Sequence, residues 1–531
     1  MYDFIVVGAG SAGCAIANRL SSDPDARVLL IETGRDERRR EIAIPAAWSR
    51  LFRSTCDWAF ETEPNARMNH RRLFVPRGKV LGGSSSINAM MYVRGNRADF
   101  DGWAMAGNPG WSYDDVLPYF TQSESNSRGA SAYHGADGPL AVSDPTDPSP
   151  LSSAFVEAAV QAGLPRNGDF NGAAQDGAGL VQVNVRRGRR HSAADAFLRP
   201  VRHRRNLSIV TQVHALQILF DGRRATGVRC WRQGREEIAR ASREVVVCGG
   251  AFGSPQLLML SGIGPADVLR RHGIPVVQDL PGVGLNLQDH PAGTLYVRCN
   301  QPLSLMAAQS PANLIRYLLF RRGMLTSNGG EAIAFVRTRA TLDAPDVEII
   351  FLPVLWFDEG FTPPTEHGFT MAVMLLQPRS RGSVTLRSAD PFQAPVIETN
   401  HLSDPHDVAT IVDGLRLARS IAAAPALARF AAGELIPGSD ATTDDELAAS
   451  VRAHGQTIYH PVGTCKMGTD TMSVVDPALR VHGLEHLRVV DASVMPTITR
   501  GHTQAPAVMI AEKAAAMILG KDRVAAELAY V

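Results

Sequence analysis

A chain of 531 residues exceeds one average domain, and 45% hydrophobic with 20% charged residues is the makeup of a globular protein with a large core, not of a disordered one. The formal net charge of +1 supplies no global field for nucleic acid, which is excluded as an expected partner. Cys14, Cys56, Cys230, Cys248, Cys299 and Cys465 are scattered without a Cys-x-x-Cys pair or metal-ligand spacing, so they read as reduced thiols, and no metal is expected.

The chain opens without the basic, apolar and small-residue regions of a secretory signal, and a cytoplasmic location is expected. Residues 3–7 are a compact β-rich run, followed by Gly8-Ala9-Gly10-Ser11-Ala12-Gly13 and a helical stretch to Leu20. Glycines at 8, 10 and 13 suit a tight turn, a close approach to pyrophosphate and helix-on-strand packing, while Ser11 and Ala12 open a helix whose N-terminus favours an anion. A second strand over 27–31 ends at Glu32, nineteen residues past Gly13, where a carboxylate accepts from adenosine ribose hydroxyls. This pattern predicts dinucleotide binding without separating FAD from NAD. No second fingerprint for a reducing nicotinamide follows.

Farther along, Gly78-Lys79-Val80-Leu81-Gly82-Gly83-Ser84-Ser85-Ser86-Ile87-Asn88 combines glycines that admit a flat ring or phosphate with side chains able to hydrogen-bond it. Residues 186–205 hold eight arginines against the single acid Asp195, and read as a solvated or phosphate-facing surface in preference to a membrane or partner patch. A strand over 207–211 precedes Val213. Residues 245–264 are interrupted by Ser254, Pro255, Gln256 and Ser261, so they suit a strand, turn and buried helix and not a membrane span; no integral membrane segment is expected. The β-rich runs 346–352, 370–376 and 383–387 suggest a mainly antiparallel sheet. The apolar strand 487–490 delivers Asp491 and Ala492 to the end where α/β ligands bind. Thr503 reads as the N-cap, and Pro506 as the first turn, of a helix running to Ile518.

The segment 78–88 closely resembles the first signature of the glucose-methanol-choline oxidoreductases, and Gly250-Ala251-Phe252-Gly253-Ser254-Pro255-Gln256-Leu257-Leu258-Met259-Leu260-Ser261-Gly262-Ile263-Gly264-Pro265 resembles the second. The resemblance continues through residues 282–290, 459–468 and 490–496, and is strongest to the bacterial choline, L-sorbose, polyethylene glycol and aliphatic alcohol dehydrogenase branch. It implies an α/β fold with a Rossmann-like FAD-binding domain assembled from 1–148, 190–297 and 452–531. A substrate-binding domain over 149–189 and 298–451 would be built on a mainly antiparallel sheet flanked by helices. By the same resemblance, Leu81, Gly82, Gly83, Ser84, Asn88, Val213, Asp491, Ala492, His502 and Thr503 address FAD. The cofactor is expected to be non-covalent, because Ile87 stands where covalent members carry a histidine.

Alcohol oxidation on a flavin needs a base for the hydroxyl proton, and His460, in Tyr459-His460-Pro461, matches the family's active-site histidine. His502 matches its partner, at a position where the neighbouring branch usually has asparagine and glucose oxidase and aryl-alcohol oxidase relatives have histidine. Glu331 resembles a glutamate that faces substrate in choline-acting members, although no adjacent aromatic pair completes a cation cage. The expected activity is oxidation of a small alcohol to an aldehyde or ketone, with oxygen or a quinone-type carrier as electron acceptor. A hydroxynitrile lyase or a non-catalytic flavoprotein of the same fold is the alternative. Nothing in the sequence sets the oligomeric state.

Overall fold

The computed structural model describes residues 1–522, apart from the side chain of Gln309. Residues 523–531, part of the expected segment 452–531, lie outside the described residues.

Two seven-stranded sheets carry the architecture. In the first, Leu207–Thr211, Val28–Glu32, Tyr2–Val7 and the end of Arg235–Val247 run parallel, with Leu487–Val489 pairing beyond them. Phe4 to Val7 and Val28 to Glu32 are buried residue after residue, as in a strand covered on both faces. The helix Ser11–Leu20 packs against Gln504–Ile518 beside this sheet. The long strand Arg235–Val247 changes partners midway: its first half pairs antiparallel with Arg224–Arg232, and only its buried end joins the parallel ladder.

The second sheet is antiparallel throughout, in the order Ala431–Ile436, Pro291–Cys299, Gly368–Leu375, Val347–Leu352, Ala332–Val336 and Gly177–Leu180. Helices Pro150–Gln161 and Pro405–Ala423 pack on it. The molecule therefore has the expected α/β class, with a parallel nucleotide-type sheet and an antiparallel second sheet. Two details differ from the sequence reading. Strand Pro291–Cys299 belongs wholly to the second sheet and Gln456–Thr457 pairs with its start, so the expected boundaries at 297 and 452 cut across one ladder. Ser383–Thr385 forms a separate ribbon with Val396–Glu398, because Val384 packs with Phe252 and Leu287 instead of joining the larger sheet.

Residues 245–264 divide into a strand end, a glycine turn and the helix Gly250–Leu260. No described helix is long and apolar enough to cross a membrane. All six cysteines are free.

Candidate functional site

Both sheets contribute walls to one cavity of about 600 Å³. Its nucleotide half begins at the turn after Tyr2–Val7, where Gly8 has φ 99° and an added Cβ would lie 2.5 Å from the Cys248 carbonyl oxygen. A Cβ on Gly13 would lie 1.8 Å from the Gly8 oxygen, so both glycines are required for the strand and helix to approach. By contrast, a Cβ on Gly10, Gly250 or Gly253 would meet nothing within 4 Å. These three line the cavity and bare their backbone to it, which is the surface a long, flat dinucleotide needs and side chains would fill.

Glu32 sits at the end of its strand, with Oε2 accepting from the Ala9 amide at 2.9 Å and Oε1 from the Gly34 amide at 2.8 Å. Burial pushes its pKa up to about 7, against which the two amides and Lys79 act. Asp491 accepts from the Gly250 amide (2.8 Å) and the Ser254 hydroxyl (2.6 Å) on one oxygen and from the Ser493 amide (2.8 Å) on the other, tying the strand end to the helix start. Ser11, Ala12, Gly83, Ser84, Asn88, Val213, Ala492, His502 and Thr503 also stand on the wall.

Gly13, Leu81 and Gly82, expected to address the cofactor, stand behind that wall and shape it. Gly82 has φ 95° and donates its amide to the Ala9 oxygen at 2.8 Å, which presses the 78–88 loop onto the 8–13 turn. Thr503 occupies the N-cap of Gln504–Ile518, but its side chain makes no capping bond. Nor is the arginine-rich stretch one surface. Arg190 is buried and donates to Asn88 Oδ1 at 2.7 Å, Arg199 and Arg202 engage Asp36, and only part of the run faces solvent. The hydrogen-bond donors, the buried Glu32 and the bared glycine backbone fit the expected FAD.

The other half holds a chain of imidazoles. His290 Nε2 lies 3.1 Å from the Leu376 carbonyl oxygen, which only accepts, so that nitrogen carries the proton. Burial first, then the neighbouring His502, push His290 down to about 3, so it is neutral and its Nδ1 is a bare acceptor. His460 Nδ1 lies 3.0 Å away and must donate. Burial, followed by His502, His290 and Arg77, also holds His460 well below the ordinary imidazole value. The network thus assigns His460 an Nδ1–H and a lone pair on Nε2. Asp289 supports this geometry by accepting the backbone amides of His290 (2.8 Å) and His460 (2.7 Å), with Thr457 donating to its second oxygen.

The His502 ring stands nearly perpendicular to that of His460, with centroids 4.9 Å apart, and its Nε2 lies 3.1 Å from Oε1 of the buried Glu348. Beside Arg77, Thr457 and Tyr459, the wall has an apolar part in which Trp48 and Trp356 stack at 5.0 Å, joined by Phe52, Met91, Ile350 and Leu352. The carboxylates on the cavity wall are Glu32 and Asp491, both in the nucleotide half.

Glu331 does not face this cavity. Gly330 lines it, but the next side chain, just ahead of the strand Ala332–Val336, is buried away from the wall. Glu331 Oε2 accepts from the Ser149 amide (2.7 Å) and the Ser152 hydroxyl (2.6 Å) at the start of helix Pro150–Gln161, and burial raises its pKa. It is a helix-end anchor.

His290, Asp289 and Glu348 carry site geometry that sequence reasoning left without a role. His290 and Asp289 close the quoted 282–290 motif, and Glu348 is the lone acid in the buried strand Val347–Leu352, a polar exception that marks a partner inside. The aromatic pair Trp48 and Trp356 is 308 residues apart in sequence and had no local signal.

The GMC oxidoreductase family profile matches residues 2–292 and 378–511. The chain is 46% identical to an alcohol dehydrogenase [acceptor] of Pseudomonas putida, covering 98% of this chain and 96% of that one. It is likewise 46% identical to an oxygen-dependent choline dehydrogenase of Paraburkholderia phytofirmans, over 99% and 95%. Among solved structures it superposes on pyridoxine 4-oxidase from Mesorbium loti (34% identity, TM-score 0.90, 97% and 98% covered). It also superposes on a variant of Aspergillus oryzae formate oxidase studied for FAD modification (31%, TM-score 0.92, 98% of both chains). Matched by both halves of the profile and by full-length relatives, the chain belongs to the GMC oxidoreductases, FAD enzymes that act on CH–OH groups.

Proposed function

We infer that this enzyme oxidises an uncharged, apolar alcohol to an aldehyde or ketone, with His460 Nε2 taking the hydroxyl proton. The observation that carries the reading is the Leu376–His290–His460 chain, which leaves one lone pair of a neutral imidazole for the cavity. When bound, FAD supplies the hydride acceptor at its N5. His502, held by Glu348, faces the same volume and stabilises the alkoxide as its proton leaves. Trp48, Trp356 and the aliphatic wall exclude water and favour an apolar substituent, and the lack of a carboxylate in this half disfavours a quaternary ammonium substrate. Ile87 on the wall offers no nucleophile, so the flavin is held without a covalent link.

Two acceptors fit the reduced enzyme, oxygen and a quinone-type carrier. The free thiols support a cytoplasmic site of action. An anaerobic screen of aliphatic and aromatic alcohols, with choline as comparison, reads the reaction directly: loss of oxidised-flavin absorbance with the apolar alcohols is the expected result. Admission of air then separates an oxygen acceptor, which restores the colour, from a carrier, which oxygen does not replace. Bleaching by choline alone, or by no alcohol at all, contradicts the reading, the latter in favour of a lyase or a non-catalytic flavoprotein.

A further inference from the structure

Helix Pro311–Phe320 turns its apolar residues outward. Ser310 and Pro311 start it, Ser310 Oγ receiving the Asn313 amide, and of its side chains only Tyr317 is buried, donating its hydroxyl to the Gly188 oxygen at 3.0 Å. Leu314, Ile315, Leu318, Leu319 and Phe320 are 44%, 56%, 53%, 69% and 68% exposed. The spacings 314/318 and 315/319 place four of them on one helix face, so this is one patch and not scattered residues. An amphipathic helix normally buries that face.

The rim is cationic. The Tyr317–Gly188 bond seats the hairpin formed by Val185–Arg186 and Arg189–Arg190 against the helix, and Arg186, Arg187 and Arg189 there are exposed and make no ion pair among the described residues. Arg321 lies over the Tyr317 ring at 4.9 Å, while Arg316 and Arg322 share Asp147. Six arginines therefore surround the patch against the one carboxylate these contacts supply.

We propose that this face, helix Pro311–Phe320 with its arginine rim, docks the enzyme on the surface of an anionic lipid bilayer. Apolar side chains enter the headgroup boundary while the arginines meet lipid phosphates, the arrangement of an interfacial helix and not of a spanning one. Charge complementarity decides against a second copy of the chain, because a twofold contact through this patch would set one arginine rim against another. The placement also bears on catalysis. The turn Met324–Thr326 after the helix packs on Pro45–Leu51, whose Trp48 lines the cavity and donates its indole N–H to the Asn328 oxygen at 2.9 Å. Docking would bring the apolar wall of the cavity beside the lipid.

The test is co-sedimentation of the holoenzyme with vesicles of equal parts phosphatidylglycerol and phosphatidylcholine, compared with phosphatidylcholine alone. Binding to the anionic vesicles, reversed by salt, is expected. Two triple variants, Leu318→Ser/Leu319→Ser/Phe320→Ser and Arg186→Ser/Arg187→Ser/Arg189→Ser, should each weaken it by about tenfold or more, while flavin content, melting temperature and turnover of a water-soluble alcohol match the parent. Failure of the parent to bind anionic vesicles, or binding that survives both triple variants, overturns the proposal. So does sedimentation velocity showing a dimer that the apolar triple variant dissociates, since the face would then be a subunit interface.

Discussion

Replacing His290 by leucine removes the acceptor of the His460 Nδ1–H while keeping an apolar side chain of similar bulk in the same buried place. A buried donor left without a partner costs about 1–3 kcal/mol. If that cost falls on the catalytic tautomer, each ~1.4 kcal/mol is tenfold in rate, so proton abstraction slows by about 5- to 150-fold. The assay is stopped-flow reduction of the flavin by alcohol without oxygen, with flavin content and melting temperature measured in parallel. His290→Asn discriminates a positioning role from a merely structural one, because its Oδ1 approximates the lost Nδ1 acceptor and should recover most of the rate. A His290→Leu enzyme that reduces its flavin at the parental rate would refute the tautomer assignment, as would a slowed enzyme that His290→Asn fails to rescue despite full flavin loading.

Acid precipitation should release the flavin of the parent enzyme, and Glu32→Ala should purify depleted in FAD, measured by absorbance, since its carboxylate acts far from the reacting carbon. Burial raises Glu32 to about 7, and its charged form is the one proposed to hold the cofactor. FAD retention on dilution of the parent should therefore be full above that pH and fall as pH drops through it. Glu331→Ala should lower the melting temperature by removing the acceptor of the Ser149 amide and Ser152 hydroxyl, with KM unchanged; a raised KM with an unchanged melting temperature would return Glu331 to the substrate. With the neutral form of His460 as the proposed base and its pKa depressed, the rate should persist below the ordinary imidazole value of about 6.5 and fall only at lower pH. His502→Asn, which removes a neighbour that depresses His460, should stay active with that acid limb moved to higher pH.

The nucleotide end was legible because its chemistry is local: a run of buried β-formers, three glycines and an acid lie within 32 residues, and Gly8, Gly10 and Glu32 stand in the structure at the turn, the cavity and the strand end. The antiparallel character of the second sheet was legible from its β-rich runs, but partners were not. Ser383–Thr385 has the propensity of a sheet strand and leaves the sheet because its neighbours are Phe252 and Leu287, distant in sequence. The same limit hid the link from Leu376 through His290 to His460, which joins three segments by hydrogen bonds that no spacing rule predicts. Glu331 shows the converse, where a family motif named a residue whose side chain turns instead to Ser149 and Ser152 at a helix start distant in sequence.

The account stands on His460 as the base. Anaerobic stopped-flow reduction of His460→Ala, fully loaded with FAD, should be slower than the parent by about a hundredfold or more, the scale of a positioned general base. Reduction at the parental rate would contradict it and leave His460 a structural imidazole.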